Sequence, residues 1–264
     1  MKRLKLTEVK EYVQSNIVRF HNDKLLSLRE MDFRDLLRKK NPYLFKAKNL
    51  NLPQDLVTSL LDASLSSSEE EIFGNFLEEL AIFIIGRTAN GWKSNNKGLD
   101  LEFQNNGIHY LVSVKSGPNW GNNSQQTDQQ EDFERAVKVS MQSKQSLPAQ
   151  PVLGICYGKT KTNLRVRGAM KVVGQNFWYL LSENKNLYID IIEPLGVEAR
   201  KHNEMFYTEK EKIIAWFTDQ FNAQFTIKGM VDWIKLVEFC SGNLDLAKKG
   251  GKLVIVKPVR RKTS

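Results

Sequence analysis

The chain has 264 residues, of which 41% are hydrophobic and 26% charged, a composition typical of soluble globular proteins and long enough for one large domain. A formal net charge of +9 and a pI of about 9.4 favour a polyanionic partner such as nucleic acid. No apolar signal core and no run near the ~18 apolar residues of a membrane span is found, so we expect a cytoplasmic protein without membrane contact.

The two cysteines, Cys156 and Cys240, stand in apolar surroundings and lack the spacing of metal ligands. They are predicted to be buried thiols rather than a disulfide or a metal site.

The first third of the chain is predicted to be helical. Apolar residues recur at helical spacing from residue 7, a second helical run covers 25–37, and a turn with an extended piece follows Pro42. A short helix is predicted over 55–63, followed by a loop through SLSSSEEE and a strongly apolar helix over 72–85. Glu78 and Glu79 lie in the middle of that last helix.

Residues 99–115 carry the pattern of a β-hairpin. Apolar and polar residues alternate on both sides of Asn106-Gly107, and Asn-Gly is a strong signal for a two-residue hairpin loop. With that loop, Asn105 pairs with Ile108, and Asp100 lies opposite Ser113. Asp100, Glu102, Ser113 and Lys115 then share one face, whereas a three-residue loop with a bulge would shift the pairing.

The rest of the chain predicts further helices and a buried strand. A helix is expected from Ser124 to about Ser143, a strand over 151–158 beside 110–115, and mostly helical structure from 175 onwards. We therefore predict one α/β domain over residues 1–264, with a mixed central sheet flanked by helices. Within it, 1–68 form a helical N-terminal subdomain, 69–195 the core, and 196–264 a helical elaboration.

The hairpin and the loop after it resemble a known family. An aspartate on the first strand and a hydrophobic-Lys pair ending the second, here Asp100 and Val114-Lys115, resemble the core motif of PD-(D/E)xK nucleases. The stretch through KSGPNWGNNSQ resembles type II restriction endonucleases of that superfamily. Ser113 stands where the superfamily usually has Asp or Glu, so the motif is a Ser-x-Lys variant.

This resemblance implies a restriction-endonuclease-like core and a sequence-specific endonuclease that hydrolyses phosphodiester bonds of double-stranded DNA with Mg²⁺, for which Mn²⁺ is expected to substitute. Asp100 is the expected anchoring ligand, Val114 offers its main-chain carbonyl, and Lys115 orients the attacking water and stabilises charge at the phosphate. In this family a helix before the first core strand often carries a glutamate close to the metal site, and Glu79 is chosen over Glu78 because Glu78 shares a face with the polar Asn75. Glu79, Glu102 or Glu131 could complete the site, and Glu131 and Glu134 are the candidates for the carboxylate missing at Ser113.

Contacts with DNA are expected from the polar loops around the hairpin. Basic side chains hold the DNA backbone without reading sequence, whereas amides and helix ends can reach base edges. The expected backbone contacts are Lys93 and Lys97. The expected sequence-reading residues are Asn119, Trp120, Asn122, Asn123, Gln125 and Gln126.

The same resemblance implies a homodimer, because cutting both strands of a palindrome takes two symmetric sites, and a partner methyltransferase that protects host DNA. Two alternatives stay open at this point. One is a repair or junction-resolving nuclease built on the same core. The other is a non-catalytic DNA-binding protein in which Ser113 marks a lost site.

Overall fold

The computed structural model describes residues 1–142, 147–166, 168–197, 199–242 and 244–256, with only the backbone described at 164–166. The chain divides into two compact units. The first comprises Met1–Leu26 and Ser67–Phe206, and the second comprises Ser27–Ser66 and the chain from Tyr207 onwards. The subdomain boundaries predicted after residues 68 and 195 stay predictions.

Helices form most of the described chain. In order they are α1 (Leu6–Arg29), α2 (Phe33–Lys39), α3 (Pro42–Ala47), α4 (Pro53–Ala89), α5 (Asn123–Met141), α6 (Gln175–Ser182), α7 (Leu187–Asp190), α8 (Ile192–Leu195), α9 (Ala199–Phe225) and α10 (Trp233–Cys240). Three of them, α1, α4 and α9, contribute residues to both units.

The first unit contains the main sheet. Its strands are β1 (Trp92–Lys93), β2 (Leu101–Asn105), β3 (Ile108–Lys115), β4 (Ala149–Ile155), β5 (Asn163–Val166) and β6 (Ala169–Val173), in the order β1-β2-β3-β4-β6-β5. Strands β3, β4 and β6 run parallel, whereas the pairs β1–β2, β2–β3 and β5–β6 are antiparallel. This mixed sheet with flanking helices and a helical N-terminal region confirms the predicted α/β class.

The second unit contains two short antiparallel hairpins besides its helices. They are formed by β7 (Thr226–Ile227) with β8 (Met230–Val231) and by β9 (Leu246–Lys249) with β10 (Lys252–Ile255). Its interior includes aromatic contacts such as Phe33 with Phe217, whose ring centroids lie 5.4 Å apart.

The predicted hairpin register is confirmed. Asn105 pairs with Ile108, and the ladder continues to Leu101 opposite Val112. Both loop residues have positive φ, 50° at Asn106 and 74° at Gly107, which a two-residue type I′ turn requires. The turn thereby decides which side chains of β2 and β3 face the same way.

The two faces of the sheet pack against different helices. Leu101, Phe103 and Val112 belong to a core shared with α1, α4 and α6, whereas Leu111 and Leu153 pack with Phe133 of α5 on the other face. Helix α5 connects β3 to β4, which lies parallel beside β3, as the apolar run at 151–158 predicts. The predicted site around Asp100 and Lys115 therefore lies where α4 and α5 approach the carboxyl end of β3.

Two local predictions were wrong. The segment 64–71, predicted as a loop, lies inside the 37-residue α4, because Leu61 and Leu65 continue a buried stripe one turn apart and burial outweighs serine's weak helix preference. The piece after Pro42 is α3, capped by the Asn41 side chain. The run from 175 to 195 is helical as predicted and divides into α6, α7 and α8.

The prediction of free thiols rather than a disulfide agrees with the structure. Cys156 is buried and Cys240 is half-buried, and both are free thiols. Among the described residues, no helix combines the length and the apolar character needed to cross a membrane.

Candidate active site

Asp100 lies immediately before β2 and is held by β3. Its Oδ2 accepts a hydrogen bond from the Val114 main-chain N–H at 2.5 Å and lies 3.2 Å from the Ser113 hydroxyl. Its own N–H donates to the Val112 carbonyl at 2.9 Å, and its carbonyl accepts from Ser94 N–H at 3.1 Å. The carboxylate is half-buried and its position is determined by the neighbouring strand.

Lys115 ends β3 on the same face. Because side chains alternate along a strand, Lys115 lies on the side of Ser113, whose hydroxyl contacts Asp100. The lysine is half-buried, and its Nζ lies 5.4 Å from the centre of the Trp120 ring. A carboxylate and an ammonium group thus share one face at adjacent strand ends, as the hairpin register predicts.

A second carboxylate reaches this place from α4. Gly74 brings the helix close to the residue after the lysine, since a Cβ at position 74 would lie 3.7 Å from Ser116 Cβ. Glu78 is one turn further along the same helix face, and its Oε1 lies 3.5 Å from Nζ of Lys93.

The charges of Asp100 and Lys115 both act on Glu78. Burial is the largest cause of a raised pKa of Glu78, and the negative charge of Asp100 raises it further. Lys93 and Lys115 act in the opposite direction. Two carboxylates and two ammonium groups therefore interact at this end of the sheet.

The sequence-based choice of Glu79 is corrected by this geometry. Its Oε1 pairs with Nη1 of Arg19 at 3.3 Å, on another side of α4. Adjacent helical residues point about 100° apart, so Glu78 and Glu79 cannot both face the strands. The presence of Gly74 one turn before Glu78 is the sequence signal that would have distinguished them.

Glu131 does not take the place of the acid missing at position 113. Its side chain is exposed, whereas Gln129, two residues earlier and on the opposite face of α5, is buried against Ser113. Gln129 Oε1 accepts from the Ser113 hydroxyl at 2.9 Å, and Gln129 Nε2 donates to the Gly98 carbonyl at 2.9 Å. The group that α5 brings to Ser113 is therefore an amide. The sequence signal for it is that Gln129 lies one turn before Phe133, on the buried side of α5.

Glu102 is buried in a polar cluster of its own. Its Oε1 accepts from Ser94 Oγ at 2.6 Å and from Asn96 Nδ2 at 2.8 Å. Nε2 of His109 lies 2.9 Å from its Oε2, an ion-pair separation, although the N–H does not point along a hydrogen bond. His109 Nδ1 also lies 2.9 Å from Ser140 Oγ. Glu102 thus holds residues 94–96 through its Oε1, and its expected role as a metal ligand stays a prediction.

The expected DNA-contacting residues fall into two groups. The side chains of Lys93, Lys97, Asn119 and Asn123 are exposed, and Gln126 is half-buried with its Nε2 3.4 Å from the Gly121 carbonyl. Trp120 lies beside Lys115.

Asn122 and Gln125 instead form a capping box at the start of α5. Asn122 Oδ1 accepts from Gln125 N–H at 3.1 Å, and Gln125 Oε1 accepts from Asn122 N–H at 2.8 Å.

Cys156 is a further ionisable neighbour of Asp100. Burial, and then the charge of Asp100, raise the pKa of its thiol, so the group stays protonated and neutral. Its N–H donates to the Lys115 carbonyl at 2.9 Å, which joins the end of β3 to the residue after β4.

The donor set suits Mg²⁺. Asp100 and Glu78 offer carboxylate oxygens, and the mutual repulsion that raises the pKa of Glu78 is relieved by a cation. In the described part of the chain, no group of three or more His, Cys, Asp or Glu side chains could hold a metal ion. Mg²⁺ needs fewer, because it keeps several waters and commonly uses one or two carboxylates together with substrate phosphates.

Comparison with known protein families gives a match over most of the chain. A family model described as "Type II restriction endonuclease EcoO109I" matches residues 7–203, most of the chain and all of the site described above. No curated protein matches the chain.

Proposed function

The chain belongs to the EcoO109I family of type II restriction endonucleases, and from this premise we propose that it hydrolyses double-stranded DNA at a specific sequence with Mg²⁺. One observation supports the proposal most: the carboxylates of Asp100 and Glu78 and the ammonium group of Lys115 interact at the carboxyl end of β3. The three residues come from different parts of the matched region.

Asp100 and Glu78, with the main-chain carbonyl of Val114, would hold the Mg²⁺, and Mn²⁺ is expected to substitute because it accepts the same oxygen ligands. When bound, the ion supplies positive charge that polarises a phosphate oxygen and makes a bound water easier to deprotonate. Val114 contributes further through its N–H, which holds Asp100 Oδ2.

The chain's own cations contribute to the reaction. Hydrolysis forms a bond from a water oxygen to phosphorus and breaks the bond to a deoxyribose oxygen, while negative charge builds on the phosphate oxygens. The half-buried Lys115 can donate hydrogen bonds to the attacking water and to a phosphate oxygen, and its ammonium charge stabilises the transition state. Trp120 flanks this group and restricts the space in which its Nζ moves.

DNA recognition is assigned to the surface around this site. Lys93 and Lys97 would hold phosphates, and the exposed Asn119 and Asn123, together with Gln126, would read base edges near the start of α5. Cutting both strands of a palindromic sequence requires two sites, so we propose a homodimer in the cytoplasm, accompanied by a methyltransferase that protects host DNA.

Incubation of the purified protein with phage DNA and Mg²⁺, followed by sequencing of the fragment ends, tests the proposal. We expect discrete fragments whose ends share one short sequence, and no fragments when EDTA replaces Mg²⁺ or when Asp100→Ala replaces the wild-type protein. Cleavage restricted to branched or damaged DNA, or wild-type protein that leaves every substrate intact, would contradict it.

A further inference from the structure

Gln129 connects α5 to the residues that hold Asp100. Its side chain is buried, and its amide makes two hydrogen bonds in different directions, to Gly98, which lies two residues before Asp100, and to Ser113. Helix α5 also packs tightly against Gly98, where a Cβ would collide with the carboxylate of Asp132. The φ of Gly98 is 76°, which favours glycine for a second reason.

The orientation of the amide follows from its partners. The Gly98 carbonyl can only accept a hydrogen bond, so Nε2 of Gln129 must face it and Oε1 must face Ser113. The Ser113 hydroxyl has a single hydrogen, and two acceptors lie within reach of it: Gln129 Oε1 at 2.9 Å and Asp100 Oδ2 at 3.2 Å. The contact to the amide is the shorter of the two, and a hydroxyl that donates to the amide cannot donate its one hydrogen fully to Asp100 as well.

We propose that Gln129 is a positioning residue that controls how many hydrogen bonds the Asp100 carboxylate receives. With the amide in place, Oδ2 of Asp100 takes its principal hydrogen bond from Val114 N–H, and the carboxylate keeps its negative charge for a cation. Without the amide, the Ser113 hydroxyl is released to Asp100, and the second donor spreads that charge over an added hydrogen bond.

The expected consequence for the reaction rests on the proposed function. A carboxylate that is already doubly hydrogen-bonded attracts Mg²⁺ less, so Gln129→Met should raise the Mg²⁺ concentration for half-maximal cleavage by about tenfold, the usual effect of losing a residue behind a metal ligand. The matched control is Gln130→Met, because Gln130 lies next in α5 and its amide contacts only Glu134 at 3.1 Å among the described hydrogen bonds.

A second variant separates this effect from simple loss of packing. Ser113→Ala removes the hydroxyl, so in that background Gln129→Met has no hydrogen to release. The Mg²⁺ requirement should then be the same with and without the Gln129 change, a non-additive result that a purely structural role would not produce.

The same proposal is tested without DNA or metal by NMR of the free protein. The Val114 amide resonance reports its hydrogen bond to Asp100, and we expect it to shift in Gln129→Met, to stay in place in Gln130→Met, and to be insensitive to Gln129→Met when Ser113 is already alanine. A Val114 resonance that is the same in Gln129→Met and wild type would overturn the proposal. Because this readout needs no cleavage, it stays valid if the wild-type protein proves not to cut DNA. Should Gln129→Met fail to fold, Gln129→Asn takes its place, since a side chain shorter by one carbon also withdraws the amide from the Ser113 hydroxyl.

Discussion

The carboxylate of Glu78 lies close enough to that of Asp100 for the two negative charges to repel each other. Glu78 belongs to α4, whereas Asp100 comes just before β2, and β1 lies between them in the chain. Burial and this repulsion together raise the pKa of Glu78 in spite of Lys93 and Lys115. Such a pair is unfavourable for the folded protein alone and becomes favourable when a cation binds between the two groups.

Glu78→Gln should abolish most of the cleavage, whereas Glu79→Gln should not. We expect the single-turnover rate to fall about 100-fold or more for Glu78→Gln, because the cation loses one of its two carboxylates. Glu79 pairs with Arg19 on another side of α4, so its variant should stay within about threefold of wild type, the scale of a lost surface ion pair. Equal losses in both variants would show that neither carboxylate has a special place in the site.

Glu78→Gln should also make the metal-free protein more stable at neutral pH. The folded-state pKa of Glu78 is raised above 4.5, so the carboxyl favours the folded state at low pH and loses that contribution as the pH rises from 4.5 through the folded-state pKa. The melting temperature of wild type in EDTA should therefore fall over this range relative to that of Glu78→Gln, with Glu79→Gln as the matched control. A wild-type melting temperature that rises over this range relative to that of Glu78→Gln would contradict the raised pKa.

What the sequence predicts well is local. Asn106-Gly107 determines the loop, the loop determines the register, and the register brings Asp100 and Lys115 to one face. Each step uses residues close in the chain and a turn with few conformations.

What the sequence does not predict is the rotation of a helix relative to the sheet. Glu78 and Glu79 are both polar residues in an otherwise apolar helix, and a difference of about 100° decides which one meets Asp100. In α5 the sequence does indicate the buried side, because Gln129 lies one turn before Phe133, which packs against Leu111 and Leu153, whereas Glu131 lies on the opposite side. In α4 tertiary packing made the choice, and the sequence records it only through signs such as Gly74.

Asp100→Ala and Lys115→Ala should each abolish cleavage and leave DNA binding within about tenfold, or roughly 1.4 kcal/mol. The reason is that both groups act on the scissile phosphate and its cation, whereas most of the affinity comes from contacts spread over the DNA backbone. Binding measured with Ca²⁺ and cleavage measured with Mg²⁺ separate the two effects. Lys138→Ala, at an exposed position in α5, serves as the control for charge loss. Variants that cut as fast as wild type would refute the assignment.

Glu102 offers a test between metal binding and structural support. Glu102→Ala removes the acceptor of Ser94 Oγ and of Asn96 Nδ2 in a buried cluster, and each unsatisfied group costs about 1–3 kcal/mol, so the free energy of unfolding in urea should fall clearly. Glu102→Gln retains an acceptor oxygen and should cut DNA within about tenfold of wild type, since hydrogen bonds rather than charge are at stake. Loss of cleavage in Glu102→Gln without loss of stability would instead indicate a metal ligand.

Asn122 and Asn123 are neighbours at the start of α5, and their alanine variants should affect different properties, stability for Asn122 and DNA binding for Asn123. Asn122 caps the helix, so Asn122→Ala should lower the free energy of unfolding by about 1 kcal/mol. The side chain of Asn123 is exposed on the first helical residue, so Asn123→Ala should leave stability within about 0.5 kcal/mol of wild type. If Asn123 reads a base edge, its removal should weaken binding to the cognate sequence by about tenfold, within the range for one good base contact, and change binding to unrelated DNA little. Urea unfolding and DNA-binding titrations on both variants check this, and a stable Asn122→Ala protein would contradict the capping role.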